Sequence, residues 1–234
     1  MQQLLLEVVR VSPPTFENFV VGFNQELIHA LKNLAGVLDE QRGERFIYLW
    51  GESGCGKSHL LQATAQALTD RQLPVRFIDC RQAVRADFEP DTNRVMVEEV
   101  EQLDNTNQIR LFNLYNQIRE NRTGLFLASG TQPPAQLSLR KDLSTRLGWG
   151  LVYQVHTLTD TQKIEAMQHH ATRRGFTLSQ EVCESLLKIA PRNLSSLIDL
   201  INSLDQYSLQ QQRPVTRSLL YQWLRIMALI PRQQ

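Results

Sequence analysis

Eight residues, Gly51-Glu52-Ser53-Gly54-Cys55-Gly56-Lys57-Ser58, match the pattern GxxxxGK[ST]. No other feature constrains the fold as much, because the pattern works only where a strand passes into a helix. The neighbours fit. Arg45–Trp50 (RFIYLW) reads as a buried strand, and Ser58–Leu68 has helical apolar spacing. Glycines let backbone N–H groups approach phosphate oxygens, and the start of the helix adds the positive end of its dipole. Lys57 is placed to reach β- and γ-phosphates, and the Ser58 hydroxyl to bind Mg²⁺. Cys55, at a variable position of the loop, reads as a small filler rather than a reactive thiol.

The alternation of strand and helix continues. Val75–Asp79, Arg94–Val100, Leu125–Ala128 and Leu151–Val155 read as strands; Asn24–Glu40 and Gln108–Glu120 have helical periodicity. This predicts an α/β domain with a mainly parallel sheet covered on both faces. After Thr157 only helices are predicted, over Asp160–Arg174, Ser179–Ile189, Asn193–Tyr207 and Thr216–Leu229. The expected organisation is a tail over 1–12, set off by Pro13-Pro14, an α/β nucleotide-binding domain over 13–157, and a helical lid over 158–234. Gln210-Gln211-Gln212 reads as a solvated loop, and His169-His170 as a surface pair.

Composition excludes several classes. There are 25 Lys+Arg against 24 Asp+Glu, a formal charge of +1, and 42% apolar residues. The apolar share supports a packed core rather than disorder. The even charge argues against a protein that coats nucleic acid. Cys55, Cys80 and Cys183 are odd in number and far apart, so neither a disulfide scaffold nor a CxxC zinc site fits. No apolar run reaches the roughly 18 residues of a membrane span, and the start lacks a basic n-region. A cytoplasmic protein without a membrane partner is the expectation.

A nucleotide hydrolase also needs acids at a strand end. Val95-Met96-Val97-Glu98-Glu99 supplies them. Glu98 is the candidate for Mg²⁺, and Glu99 for orienting the attacking water. Glu98 carries one methylene more than the usual Asp, which shifts the metal geometry.

Several further segments carry a resemblance. Thr15-Phe16-Glu17-Asn18-Phe19-Val20-Val21-Gly22 precedes the nucleotide domain, and Lys57-Ser58-His59-Leu60-Leu61 continues the loop. Leu111-Phe112-Asn113-Leu114-Tyr115-Asn116, Gly130-Thr131-Gln132-Pro133-Pro134 and Leu143-Ser144-Thr145-Arg146-Leu147-Gly148-Trp149-Gly150 follow. Over nearly the whole chain these segments resemble the DnaA family of AAA+ ATPases, and within it the short Hda-type regulators.

That resemblance implies ATP or ADP with Mg²⁺, held by Gly51, Glu52, Ser53, Gly54, Cys55, Gly56, Lys57, Ser58 and His59, with Val20 and Val21. It implies Arg146 as an arginine finger for a neighbouring subunit, with Glu99 and Lys57 completing the catalytic set. The sensor positions fall on Thr131 and Ser195. At the second the family carries an arginine, and Arg192, about one helical turn earlier, is the candidate substitute. Weak intrinsic hydrolysis is therefore expected. Gln3-Leu4-Leu5-Leu6 resembles the QLxL signature that binds the β subunit sliding clamp of DNA polymerase III, and two leucines can fill an apolar pocket. The implied partners are the DnaA initiator, the clamp, DNA only through the clamp, and further copies of the chain. No segment after the last predicted helix suits a DNA-binding helix-turn-helix. Two alternatives stay open. One is a self-sufficient AAA+ remodelling or helicase-loader-like motor, marked by robust basal ATPase activity. The other is a non-catalytic adaptor, marked by indifference to loss of Arg146.

Overall fold

The computed structural model describes residues 13–36, 44–85, 88, 92–120 and 124–227. The tail Gln3–Leu6 lies outside them. Two compact units divide after Thr157.

The first unit runs α1 (Gln25–Gly36), β1 (Phe46–Trp50), α2 (Lys57–Thr69), β2 (Arg76–Asp79), β3 (Arg94–Glu98), α3 (Asn105–Glu120), β4 (Leu125–Gly130), α4 (Lys141–Leu147) and β5 (Leu151–Gln154). The strands form one sheet in the order β2-β3-β4-β1-β5, with every pairing parallel. Central strands β3 and β4 are buried apart from the half-buried Arg94 at the start of β3, as expected of strands covered on both faces, whereas edge strand β5 is largely exposed. One face packs Leu111, Tyr115 and Ile118 of α3 with Leu143 and Leu147 of α4 against Phe46, Tyr48 and Phe126. The opposite face packs Leu31 of α1 with Leu60 and Leu61 of α2 against Ile47, Leu49 and Leu127. This is the parallel, doubly covered sheet that the alternating pattern predicts. β3 ends two residues earlier than predicted: Glu99 takes a left-handed backbone (φ 55°) and Val100 begins a short 3₁₀ turn.

The second unit holds α5 (Asp160–Arg173), α6 (Gln180–Ile189), α7 (Leu194–Gln211) and α8 (Arg217–Ile226). Thr159 and Gln162 form a reciprocal capping box at α5, and the Asn193 and Thr216 side chains cap α7 and α8. Met167, Leu186, Ile201, Leu220 and Trp223 form the shared core. Met227 is exposed, not part of it. The glutamine run is not a loop. Gln210 and Gln211 finish α7, and Gln212 (φ 51°) terminates it. His169 is exposed, but His170 is half-buried with its ring Nε2 2.7 Å from Asn202 Oδ1. Among the described residues no helix is long and apolar enough to cross a membrane.

Candidate functional site

The loop 51–56 leaves the C-terminal end of β1 and delivers Lys57 as the first residue of α2. Two glycines here are sterically required. A Cβ at Gly51 would lie 2.6 Å from the Val155 carbonyl oxygen. Gly56 has φ 106°, and a Cβ there would lie 2.8 Å from the Phe19 ring. Lys57 is buried, and its ammonium donates to the Gly51 carbonyl at 2.7 Å and the Glu52 carbonyl at 2.9 Å. Glu52, Ser53, Gly54 and Ser58 are exposed. Cys55 is buried, and burial raises its thiol pKa, so it remains a filler rather than a nucleophile.

The register brings the strand ends together. Asp79 pairs with Glu98 across β2 and β3, and Leu49 pairs with Ser129 across β1 and β4. The Ser58 hydroxyl donates to Glu98 Oε1. The Glu98 residue is only 3% exposed, and the backbone N–H of Glu99 donates to the Ser129 hydroxyl at 3.3 Å.

A hydroxyl and a carboxylate thus converge at the mouth of the loop. These hard oxygen donors suit Mg²⁺, which takes one or two protein oxygens and completes its shell with phosphate and water. Among the described residues no group of three or more His, Cys, Asp or Glu is placed to hold a metal ion.

Arg81 is a site residue that the sequence reading missed. Its guanidinium makes a bidentate pair with Asp79 at 3.0 and 3.1 Å. It also stands 3.6 Å from Glu99 Oε2 and 4.0 Å from Glu98 Oε2. Hydrogen bonding from Arg81 holds the Asp79 carboxyl below the usual carboxylate range.

Thr131 lies just past β4 and is exposed, and its backbone N–H donates to Glu101 Oε1 at 3.0 Å. The buried hydroxyl at that strand end is Ser129. Val20 and Val21 are half-buried in the segment that precedes α1. His59 Nε2 meets the Thr15 carbonyl at 2.9 Å and its ring packs on Phe19 at 5.4 Å, so His59 holds this segment against α2. Ser195 is exposed in the first turn of α7. Arg192 is not on that helix: it precedes the Asn193 cap and stands 4.0 Å from Asp160 Oδ2.

Arg146 is in the last turn of α4, ahead of the N-terminal end of β5. Its guanidinium carbon sits 3.8 Å from the Trp149 ring centroid and 5.7 Å from that of Phe112. Arg119 bridges Trp149 and Phe46, the first residue of β1. Because β1 and β5 run parallel, this cluster lies at the opposite end of β1 from loop 51–56. Five residues of strand span roughly 13 Å from first to last Cα.

Residues 160–224 match the family described as Hda, lid domain, and residues 12–83 match the bacterial DnaA ATPase domain. The second unit is thus similar to the Hda lid, and the start of the first unit to the bacterial DnaA ATPase domain. Among solved structures, the chain is similar to domain III of the Thermotoga maritima replication initiation protein DnaA. The identity is 20%, the TM-score 0.74, and the coverage 91% of this chain and 95% of that one. It is also similar to AMPPCP-bound DnaA from Aquifex aeolicus, at 18% identity and TM-score 0.69, over 84% of this chain and 66% of that chain. The RuvB Holliday junction branch migration motor of Thermotoga maritima shares the fold at 15% identity and TM-score 0.64, over 92% and 72%.

Proposed function

We propose that the chain is a regulator of replication initiation that binds ATP or ADP with Mg²⁺ and uses Arg146 to promote hydrolysis of ATP held by a DnaA initiator. One observation supports this above the rest. Arg146 and the loop 51–56 occupy opposite ends of β1, so the arginine lies a strand's length from the chain's own phosphate loop. A guanidinium set beside a γ-phosphate neutralises charge that grows in the transition state, worth about 10³–10⁵ in rate.

In the chain's own site, Lys57 would face the β- and γ-phosphates, Ser58 and Glu98 would hold Mg²⁺, and Glu99 would orient water. Bound Mg²⁺ supplies charge neutralisation at the phosphates. Ser195 stands at the second sensor position, where the family carries an arginine, and a serine supplies no cation to bound phosphates, so intrinsic hydrolysis is weak. The tail Gln3-Leu4-Leu5-Leu6 docks on the sliding clamp, and the clamp provides the contact with DNA.

The test is hydrolysis of DnaA-bound ATP on clamp-loaded DNA. Wild type accelerates it, Arg146→Ala does not, and a chain lacking residues 1–7 loses both acceleration and clamp binding. Acceleration by Arg146→Ala equal to wild type would overturn the arginine role, and unchanged clamp capture by the truncated chain would overturn the tail assignment.

A self-sufficient ATPase is the second reading, favoured by Lys57 held within the loop and by the Ser58–Glu98 bond at its mouth. Rapid turnover by the isolated protein would select it.

A further inference from the structure

Arg146 has an unusual set of neighbours for a half-buried arginine. Among the described residues no carboxylate lies within ion-pair distance, and its close contacts are aromatic faces. The backbone fixes the nearer one. The Gly148 N–H closes the last turn onto the Ser144 and Thr145 carbonyls, both at 3.2 Å, and the Trp149 N–H donates to the Arg146 carbonyl at 3.1 Å. The Trp149 indole lies over the Arg146 guanidinium, with 3.8 Å between guanidinium carbon and ring centroid.

Trp149 is 49% exposed, so this packing is not simply core burial. Arg119, the other cation near the indole at 5.2 Å, is tied back to the Tyr115 hydroxyl at 3.1 Å and to the Phe46 ring at 5.4 Å.

Stacking and ion pairing hold an arginine differently. A carboxylate fixes the guanidinium by consuming two of its five N–H donors in the plane. An aromatic face fixes the same plane from above and leaves the in-plane donors for another acceptor. A group meant to serve an anion from another molecule needs the second arrangement.

We infer that Trp149 is the positioning residue for Arg146, orienting its guanidinium through the indole face while leaving its N–H donors available to a phosphate of the partner's nucleotide. This rests on the reading of Arg146 given above. Losing the stack returns rotamer freedom to the arginine, so the effect falls on the maximal rate of partner hydrolysis rather than on partner affinity.

The experiment titrates wild type, Arg146→Ala, Trp149→Leu, Trp149→Phe and the double variant Arg146→Ala/Trp149→Leu into ATP-loaded DnaA on clamp-loaded DNA. It records the maximal single-turnover rate and the concentration giving half of it, with melting temperatures confirming the fold. Trp149→Leu is expected to lower the maximal rate by roughly 3- to 30-fold, the range of an exposed to a desolvated cation–π contact. The half-maximal concentration should stay within about twofold, well short of the roughly tenfold change that 1.4 kcal/mol of lost binding would give. Trp149→Phe, which keeps an aromatic face, should recover part of the loss. In the Arg146→Ala background, Trp149→Leu should cost nothing further, because the two residues act as one unit. A full maximal rate for Trp149→Leu, or a change confined to the half-maximal concentration, overturns the inference while leaving the Arg146 role intact. An Arg146→Ala protein as active as wild type instead removes the reading on which it rests.

Discussion

The Ser58 hydroxyl donates to the buried carboxylate of Glu98, forty positions further along the chain. The bond joins the first turn of α2 to the end of β3 and pre-assembles the oxygen pair assigned to Mg²⁺. Glu98→Gln keeps the size and a hydrogen-bonding oxygen but removes the charge. ATP affinity measured with excess Mg²⁺ should fall by about tenfold or more, in the range seen when groups supporting a metal site are altered. Affinity measured in EDTA should barely change. Equal losses in both conditions would show that Glu98 supports the loop rather than the metal.

Arg81 places a positive charge beside the same acids. A cation there disfavours the arrival of a second one. Arg81→Ala should therefore lower the Mg²⁺ concentration needed for half-maximal ATP binding by about fivefold at low ionic strength, because a few ångströms of solvent-exposed separation leaves roughly 1 kcal/mol of repulsion. The difference should shrink toward zero as salt shortens the screening length. A Mg²⁺ requirement that rises in Arg81→Ala would mean instead that the arginine organises the carboxylates for the metal.

Burial holds the His59 pKa below its usual 6.5. The unfolded chain therefore binds a proton before the folded chain does. Stability from neutral His59 is fully present above about pH 6.5 and is lost as pH falls from there through the folded-state pKa. His59→Gln cannot titrate. Melting temperature should drop between about pH 7.5 and 5.5 in wild type and drop less in the variant. Parallel curves would remove His59 as the source.

In the second unit, Arg174 makes two bonds to one oxygen of the buried Asp205, at 3.0 and 2.9 Å. Arg174→Met keeps much of the aliphatic stem and strands that carboxylate. Thermal or denaturant unfolding should register a loss of about 1–3 kcal/mol. The double variant Arg174→Met/Asp205→Asn should recover part of it. Without such recovery, the pair is not the origin of the loss.

The loop 51–58 and the alternation around it were legible because each depends on neighbours within about twenty residues. Arg81 was not, since its role exists only once β2 and β3 lie side by side and bring Asp79 level with Glu98. Helix α4 is seven residues long, too short for periodicity to register, although Leu143 and Leu147 are buried one turn apart. The first sensor position shows a finer limit. Ser129 and Thr131 would share a face if β4 continued, but the strand stops at Gly130, leaving one hydroxyl buried and the other exposed. Family resemblance placed the role on Thr131, and the burial difference between the two hydroxyls could not be read from the sequence. The extent of α7 through Gln211 went unread because a glutamine run has no apolar period even when it is helical.

The placement of Arg146 and loop 51–56 at opposite ends of β1 makes the molecule polar. On the proposed role of Arg146, one surface gives an arginine and another receives one, and the two are complementary without being alike. Two chains joined in this way meet head to tail, by a heterologous contact with no twofold axis. Such contacts build rows or rings, and each row keeps one free donor and one free acceptor. If the proposed role holds, a single copy set against an initiator fills one role and leaves the other open, so which end of the row is occupied would decide the stoichiometry.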